Sequence, residues 1–261
     1  MEQQKPIRIL QIDGGGLKGI IPAIICSEIE QRTGKPICEI FDMITGTSTG
    51  AVVGGALAAG IKASRVKEIY RTDVFNIFSK PRTKWLPWNW LRPKYGKNEF
   101  QKVLQKELGN ISICDVKTKY MAATFNLCSQ RTHFIKSWDE KDRKWSLADV
   151  ISWSALSAVY YFGKINVPDY EWVHILPDGK EEKEIGAVFQ DGGQGTNNST
   201  LTFDLMECLA HDYRDVYILS IGTGDHDTRI KYKAASKTGL IGQIFNFFVQ
   251  ARNEAIPNQV M

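Results

Sequence analysis

The chain of 261 residues is 43% hydrophobic and 24% charged, a balance that is typical of a globular protein and excludes an intrinsically disordered one. Its 33 basic and 29 acidic residues leave a formal net charge of +4, which is too small to indicate a protein that binds nucleic acid. The length suffices for one large core. We see neither an internal repeat nor a low-complexity linker, and therefore predict a single domain over residues 1–261, with its motifs within 7–224.

The cysteines and the apolar segments exclude further classes of protein. The five cysteines are odd in number and contain no C-x-x-C pair, so we expect neither a disulfide scaffold nor a zinc site, and no metal or cofactor. No stretch approaches the roughly 20 apolar residues that span a bilayer. The first apolar run stops at Asp13, which is too early for a secretory signal. We therefore expect a cytoplasmic protein whose membrane contact is peripheral.

The first predicted strand covers residues 7–12, and a glycine-rich loop and a helix beginning near Pro22 follow it. The loop, Gly14–Gly19, has the pattern G-x-G-x-x-G, which in dinucleotide-binding proteins holds a pyrophosphate. Those proteins also carry an acidic residue about 20 positions further on, at the tip of the second strand. Here Asp42 lies inside the second predicted strand, 40–45, and its tip has no acid, which disfavours this interpretation. The helix carries an apolar stripe at helical spacing: Ile21, Ile24, Ile25 and Ile29.

The same glycine loop suits the binding of an anion. Successive backbone N–H groups at a strand-to-helix turn form a nest for negative charge, and glycines leave its approach open. Two consecutive strand-turn-helix units would place both turns at the carboxyl edge of the sheet. The glycine N–H groups would then face Ser48 as an oxyanion hole. The simpler alternative is a tight turn, although three consecutive glycines exceed what a turn requires.

The second turn is the pentapeptide Gly46–Gly50, which reads G-x-S-x-G. A strand-compatible apolar segment precedes it, and the small residues of 51–59, which suit a closely packed helix, follow it. Strand, sharp turn and helix are the context in which this motif acts as a nucleophile elbow, with Ser48 at the strained position. The alternative is a surface turn rich in glycine, serine and threonine.

The rest of the chain alternates between helical and strand patterns, as expected of an α/β protein. Helices are predicted over 61–73, 98–109, 147–158, 201–211 and 240–251. Strands are predicted over 119–126, 131–136, 171–176, 185–190 and 216–221, the last of which we expect to be buried. The apolar face of the segment 240–251 either packs on the domain or contacts lipid.

The segment 80–95 has an unusual composition. It contains three prolines, five basic residues and no acid, and the prolines exclude a regular helix. Exposed tryptophans among lysines and arginines suit the headgroup region of an anionic membrane. This predicts peripheral membrane contact through Trp85, Trp88 and Trp90. The alternative, in which these tryptophans fold back onto the core, stays open.

A serine hydroxyl needs a base that takes its proton before it can act as a nucleophile. Histidine is the usual base, and in the chain order of the hydrolases the candidate triad is Ser48, Asp191 and His226. The other histidines lie in patterns typical of structural residues: His133, His174 and His211. A second possibility is that Asp191, at the end of a strand and followed by two glycines, is itself the base. Asp191 could also be only the first residue of an Asp-Gly turn.

Three motifs occur in order along the chain: Asp13–Gly19, Gly46–Gly50 and Asp191–Gly193. Together they resemble the signature of the patatin-like phospholipase family, which has a glycine-rich oxyanion loop, a G-x-S-x-G elbow and a D-G-[GA] motif. Further similarities are found at 154–158, 161–162, Asn197 with Asn198, and 220–224. The resemblance covers about residues 7–224, which is most of the chain.

The resemblance implies a three-layer α/β/α sandwich with a central, mostly parallel sheet. It makes Ser48 the nucleophile and Asp191 the base of a Ser-Asp dyad, and assigns the oxyanion hole to Gly14, Gly15 and Gly16. The other motif glycines are Gly19, Gly46, Gly50, Gly192 and Gly193. Lys18 stands where the family commonly has arginine, which keeps the charge but loses the planar fork that binds phosphate through two hydrogen bonds.

By the same resemblance, the chain is expected to hydrolyse an acyl ester of a membrane glycerophospholipid, with phospholipase A chemistry through an acyl-enzyme. One alternative is a lipase or esterase with the histidine triad. Another is an effector lipase that a ligand or partner activates, because an uncontrolled lipase without an export signal endangers its own membranes. The alternative least favoured is a nucleotide-binding module built on the Gly14–Gly19 loop. No regulator or oligomeric state is evident from the sequence.

Overall fold

The computed structural model describes residues 6–81, 93–158, 161–176, 178–193, 199–213 and 215–224. Within these ranges one sheet of seven strands has helices on both faces. The strands are β1 (Ile7–Ile12), β2 (Met43–Thr47), β3 (Lys119–Asn126), β4 (Arg131–Lys136), β5 (Ile165–Ile175), β6 (Glu181–Asp191) and β7 (Val216–Ile221). The α-helices are α1 (Ile20–Thr33), α2 (Ile37–Ile40), α3 (Thr49–Ala58), α4 (Ala63–Ile69), α5 (Phe75–Ser79), α6 (Lys97–Leu108), α7 (Leu147–Ala155) and α8 (Leu201–Ala210).

The sheet has the strand order β5-β6-β3-β2-β1-β7, and β4 also pairs with β3. The four strands β7, β1, β2 and β3 run parallel, whereas β4, β5 and β6 extend the sheet with antiparallel pairs. Parallel strands require covered faces, and helices supply that cover here. The predicted fold class, a layered α/β/α domain with a mostly parallel central sheet, is confirmed.

Helix α3 forms the centre of one helical layer. All ten of its residues are buried, and their small side chains let the helix lie close to its neighbours. A Cβ added to Gly54 would lie 3.0 Å from the side chain of Ile44, and one added to Gly55 would lie 2.6 Å from Ile151 of α7. The opposite layer contains α8, whose Cys208 packs on a small apolar cluster with Ile7, Ile9 and Met43.

The two parts of the sheet meet along β3. Strand β4 pairs along one edge of β3 and β2 pairs along the other. Strand β6 pairs with the last three residues of β3. Because β4 lies along one edge of β3, β6 must lie along the other edge, the one that β2 occupies over the first five residues of β3. The two strands therefore meet end to end, with Thr47 opposite Ala123 and Asp191 opposite Thr124.

Of the apolar stripe noted on α1, Ile29 is partly buried against the core and the other three residues are exposed. Three isoleucines are between 38% and 49% exposed: Ile21, Ile24 and Ile25. The buried face consists of smaller residues: Pro22, Ala23, Cys26 and Ser27. Helix α1 packs against α4, and close packing of two helices favours small side chains between them. The helix also begins at Ile20, before Pro22.

Two strand predictions are corrected. Strand β2 begins at Met43, so Asp42 lies before the strand and not inside it. The carboxylate of Asp42 accepts hydrogen bonds from the backbone N–H of Arg8 at 2.9 Å and from its guanidinium at 3.0 Å, which makes it a structural partner of β1. Strand β7 is not buried. Its Tyr217 is 66% exposed and its Leu219 is 39% exposed, and the two residues, two positions apart, lie on the same face of the sheet.

The helix predicted over 61–73 is longer and interrupted. A five-residue π-helix, Tyr70–Val74, joins α4 to α5, so the helical path continues to Ser79. Strands β5 and β6 are likewise longer than predicted, and the helix predicted over 147–158 ends at Ala155. The other helices and strands predicted within the described ranges agree with the structure to within a few residues.

Several predictions concern residues outside the described ranges: His226, the segment 240–251, Trp85, Trp88 and Trp90, and Asn197 with Asn198. In the part of the chain that is described, no helix combines the length and the apolar character needed to cross a bilayer. The prediction of a single domain over residues 1–261 stays a prediction.

Candidate active site

Ser48 occupies a strained turn between β2 and α3. Its backbone has φ 55° and ψ −123°, a conformation that side-chain-bearing residues rarely adopt and that is found at functional turns. The turn is possible because glycines flank the serine. A Cβ on Gly46 would overlap the backbone of Gly50, and a Cβ on Gly50 would overlap the carbonyl group of Ile12. The elbow predicted from G-x-S-x-G is therefore present, with Ser48 partly exposed at its tip.

Helix α7 fixes this turn through Ser154. The Ser154 Oγ accepts a hydrogen bond from the backbone N–H of Ser48 at 2.9 Å and donates one to the carbonyl of Ala123 at 2.6 Å. Ser154 is fully buried. In the sequence, Ser154 is recognisable only as part of a family similarity and its role is not, because its contact with Ser48 spans 106 positions. No local pattern reports such a contact.

Asp191 is placed beside the elbow by the meeting of β2 and β6. It is the last residue of β6, only 6% exposed, and its partner Thr124 follows the partner of Thr47 by one position. Successive residues of a strand are about 3.4 Å apart. Its backbone N–H donates to the carbonyl of Ser157 at 3.2 Å, and its Oδ1 accepts from the N–H of Gly193 at 2.9 Å. The structure therefore brings the two predicted residues to one point of the sheet.

Gly192 and Thr124 hold Asp191 against β3. A Cβ on Gly192 would overlap the carbonyl of Ala123, so only glycine lets the chain pass this closely. The Thr124 hydroxyl lies 3.0 Å from the carbonyl of Gln190, the residue before Asp191, and also 3.0 Å from the carbonyl of Trp153 in α7. The hydroxyls of Thr124 and Ser154 thus both tie α7 to the end of the sheet where Ser48 and Asp191 lie.

The glycine loop lies against the segment that follows β7. The Thr223 hydroxyl donates to the carbonyl of Gly14 at 2.7 Å, and a Cβ on Gly15 would overlap the Thr223 side chain. Gly16 adopts φ 59°, which suits glycine, and begins a short 3₁₀ helix that ends at Gly19. The predicted oxyanion glycines therefore lie at the same sheet edge as Ser48. The contact of Gly50 with the last residue of β1 places the two turns side by side.

The charged side chains near this loop form hydrogen bonds with other residues of the chain. The carboxylate of Asp13 accepts a hydrogen bond from the Gln11 amide at 2.8 Å. Burial raises the pKa of Asp13, while the hydrogen bonds from Gln11 and Ser199 oppose that rise. The Lys18 ammonium donates to the carbonyl of Gly224 at 3.3 Å, so it ties the loop to the end of β7.

The described histidines have partners elsewhere. The ring of His133 is bonded to Ser129 at 2.8 Å and to the Tyr170 hydroxyl at 3.4 Å, and burial lowers its pKa to about 4. His174 lies in the outer part of β5 beside Trp172, and His211 bonds to Glu207 at 3.1 Å. His133 also lies on the edge of β3 opposite to Asp191.

No group of three or more histidine, cysteine, aspartate or glutamate side chains that could hold a metal ion occurs in the described ranges. Within those ranges the polar groups at the sheet edge include hydroxyls, the carboxylates of Asp13 and Asp191, the Lys18 ammonium and backbone N–H groups. Such a set suits transfer of an acyl group to a hydroxyl and proton transfer to a carboxylate.

The fold and the site define a layered α/β protein with a serine at a nucleophile-type elbow. A family model described as patatin-like phospholipase matches residues 10–204. The chain therefore belongs to the patatin-like phospholipase family, as the three motifs had indicated.

Named relatives agree with this membership. The chain is 31% identical over 266 residues to a "cGAMP-activated phospholipase" of Pseudomonas aeruginosa (strain BWHPSA011 / Pa011), an alignment that covers 97% of this chain and 74% of that protein. It is 27% identical over 262 residues to "Patatin-like protein 2" of Arabidopsis thaliana, covering 89% of this chain. The chain spans 63% of the length of that plant relative.

Among solved structures, that of VipD from Legionella pneumophila aligns with a TM-score of 0.44 and 12% sequence identity. This alignment covers 89% of the present chain and 52% of that one.

Proposed function

We propose that this protein is a lipid acyl hydrolase of the phospholipase A type, with Ser48 as nucleophile and Asp191 as base. The observation that carries the proposal is the end-to-end meeting of β2 and β6 on β3, where Thr47 and Asp191 pair with the adjacent residues Ala123 and Thr124 and the strained Ser48 directly follows Thr47. Family membership supports a lipid substrate.

In the first half of the reaction, the Asp191 carboxylate takes the proton of the Ser48 hydroxyl as the oxygen attacks the ester carbonyl carbon. The negative charge that develops on the carbonyl oxygen is stabilised by backbone N–H groups of Gly14, Gly15 and Gly16 and by the N-terminal end of α3. The C–O bond to the leaving alcohol then breaks, and Asp191 returns the proton to that alcohol. The acyl group stays on Ser48.

In the second half, water replaces the alcohol. Asp191 takes a proton from the water as its oxygen attacks the acyl-enzyme carbonyl, and the same N–H groups stabilise the second oxyanion. The ester bond to Ser48 breaks, and the proton on Asp191 passes to the serine oxygen. The products are a lysolipid and a fatty acid, and the reaction needs no further reactant.

We also propose that the protein is cytoplasmic and associates peripherally with membranes, because its substrate lies in a bilayer. The basic, tryptophan-rich segment 80–95 and the exposed isoleucines of α1 support this proposal. Co-sedimentation with anionic vesicles should fall in a variant with alanine at Trp85, Trp88 and Trp90. Equal binding of that variant and the unaltered protein would count against the segment.

Activation by a ligand is a second candidate function. A relative that is 31% identical over almost the whole chain is named a cGAMP-activated phospholipase. If control of this kind applies here, cyclic dinucleotides should raise the rate of phospholipid cleavage without being consumed. If the rate does not respond to cyclic dinucleotides, activation by these ligands is excluded.

The dyad is tested by mass spectrometry of the products from mixed phospholipid vesicles. Replacing Ser48→Ala or Asp191→Asn should lower kcat by about 1000-fold or more. Activity that survives His226→Ala but not Asp191→Asn separates the dyad from the histidine triad. Full activity in Ser48→Ala would overturn the proposal.

The chain offers matched controls for both replacements. Asp178 also precedes a glycine, and its Oδ1 accepts a backbone N–H two residues on at 3.1 Å, the same turn contact that Asp191 makes. If Asp191 only stabilised a turn, Asp191→Asn would behave like Asp178→Asn and leave the activity intact. Ser129, which is bonded to His133, is the control for Ser48, and Ser129→Ala should remain active.

A further inference from the structure

The π-helix Tyr70–Val74 interrupts the helical path between α4 and α5 next to the site. Helix α4 starts beside the far end of α1, where the Ala63 N–H donates to the Glu30 carboxylate at 2.8 Å. It then runs back along α1, so that the Tyr70 ring lies against Gly19 at the end of the glycine loop. A π-turn of this kind redirects side chains and is frequent at functional sites.

The hydroxyl of Tyr70 is bonded to the residue that follows the nucleophile. It makes a short hydrogen bond with the Thr49 hydroxyl and lies 3.3 Å from the Thr49 carbonyl. Both residues are buried: Tyr70 is 1% exposed and Thr49 is 5% exposed. Burial also raises the pKa of Tyr70, so its hydroxyl keeps its proton and can donate throughout the neutral range.

Gly19 packs against the contact between Tyr70 and Thr49. A Cβ on Gly19 would overlap the Thr49 hydroxyl and would lie 2.7 Å from the Tyr70 ring. The glycine loop, the elbow and the π-helix thus meet at one point, and Tyr70 touches both of the others.

We propose that Tyr70 is a positioning residue, whose hydroxyl holds Thr49 and thereby keeps Ser48 at the required distance from the glycine loop. The inference rests on the proposed serine mechanism. An acyl transfer is sensitive to this distance, since a misplacement of about 1 Å can lower a rate about 100-fold. Loss of the hydroxyl should therefore affect the chemical step and leave substrate binding largely unchanged.

The test compares two buried tyrosines that both contact the start of α3. Tyr120 is fully buried, and its hydroxyl donates to the Ala51 carbonyl at 2.8 Å, but among the described residues it makes no hydrogen bond to Thr49 or to the glycine loop. Tyr70→Phe should lower kcat about 10- to 100-fold with KM within twofold, whereas Tyr120→Phe should keep the activity. Tyr70→Phe loses the two hydrogen bonds of its hydroxyl with Thr49 and Tyr120→Phe loses the one with Ala51, so the thermal stability of both variants should fall.

A double-mutant cycle with Thr49 sharpens the test. Thr49→Val should reproduce the loss of kcat, Thr49→Ser should recover activity relative to Thr49→Val, and the Tyr70→Phe, Thr49→Val pair should be no slower than either single change. If Tyr70→Phe does not fold, the two Thr49 variants carry the same comparison.

Two results would overturn the assignment in distinguishable ways. A kcat for Tyr70→Phe within twofold of that for Tyr120→Phe, with Ser48→Ala inactive, excludes Tyr70 as a positioning residue and leaves the serine mechanism standing. Full activity in Ser48→Ala removes the serine mechanism itself, and the role of Tyr70 with it.

Discussion

The parallel and the antiparallel parts of the sheet contribute to the site by different means. In the parallel part, every residue of β2 and of α3 is buried, and the turn between them carries Ser48. In the antiparallel part, the first five residues of β6 are exposed, and burial begins only toward Asp191. The proposed nucleophile, Ser48, thus lies between two buried elements, and the proposed base is the buried end of a strand whose first five residues are exposed.

This difference indicates how sensitive the site is to substitutions in each part of the sheet. Around Ser48 the backbone is strained and the glycines have no room for a Cβ, so the local structure depends on tight packing. The position of Asp191 depends on the register of β6 with β3. The exposed first half of β6 makes little contribution to that register. Substitutions should therefore have large effects in the first region and small effects in the exposed first half of β6.

The largest effect is expected for Gly50→Ala. The new Cβ would overlap the carbonyl of Ile12 and lie 2.7 Å from its carbon, so β1 and α3 must move apart. We expect a loss of unfolding free energy of about 3 kcal/mol or more and loss of activity. Urea denaturation and the vesicle assay measure both. Near-native stability would show that the contact between the two turns is looser than described.

Ser154→Ala is next in size. It leaves the Ser48 N–H and the Ala123 carbonyl without the hydroxyl that joins them, and unsatisfied buried groups cost about 1–3 kcal/mol in total. We expect this loss of stability together with at least a tenfold drop in kcat, because the strained elbow can relax. Ser152→Ala is the control, since its hydroxyl donates within α7, to the Ala148 carbonyl at 2.7 Å, and has no other hydrogen bond among the described residues.

A pH-dependent effect is expected on the other face of the parallel part. Asp204 of α8 is fully buried against β2, where one carboxylate oxygen accepts from Thr45 at 2.8 Å and lies 3.3 Å from the Thr200 hydroxyl. Its other oxygen has no partner within the described structure. Burial raises the pKa of Asp204 to about 7, and nearby Glu207 adds to the rise.

Because an unfolded aspartate titrates near 4, the folded state holds a proton that the unfolded state has lost between about pH 4 and pH 7. The contribution of Asp204 to stability is therefore full below pH 4 and falls as the pH rises through 7. Relative to the unaltered protein, Asp204→Asn should gain about 2 kcal/mol of stability between pH 5 and pH 8. Urea denaturation at both pH values measures this difference, and an unchanged difference would contradict it.

The smallest effect is expected in the exposed first half of β6. Ile185 of β6 is 73% exposed. Ile185→Thr keeps a β-branched side chain, so we expect a change in stability below about 0.5 kcal/mol and unaltered phospholipid cleavage. A large loss of activity would show that the exposed first half of β6 takes part in function and would weaken the contrast between the two parts.

Local motifs explain most of what the sequence predicted correctly. The glycine loop, the elbow and the Asp-Gly-Gly segment each combine a strand, a turn and residues with special backbone freedom, so their places at strand ends could be inferred. Strands β3, β4 and β7 were located from apolar and β-branched runs, and the family and fold class followed from the order of the motifs. The burial of β7 is predicted wrongly, because an apolar, β-branched run indicates a strand but not what covers its faces.

By itself the sequence determined which residues are the candidates for the chemistry of this protein: a serine in a G-x-S-x-G motif, a glycine loop after the first strand, and an aspartate at the end of a strand. Only the tertiary structure decided that β6 continues the edge of β3 on which β2 stops, and that Ser154 and Tyr70 hold the two sides of the elbow. The physical reason is distance along the chain. Contacts that span tens of residues depend on strand register and helix packing, which local propensity does not encode. Ser48 is therefore recognised as a candidate nucleophile from its local motif, whereas the residues around it are known only from the fold.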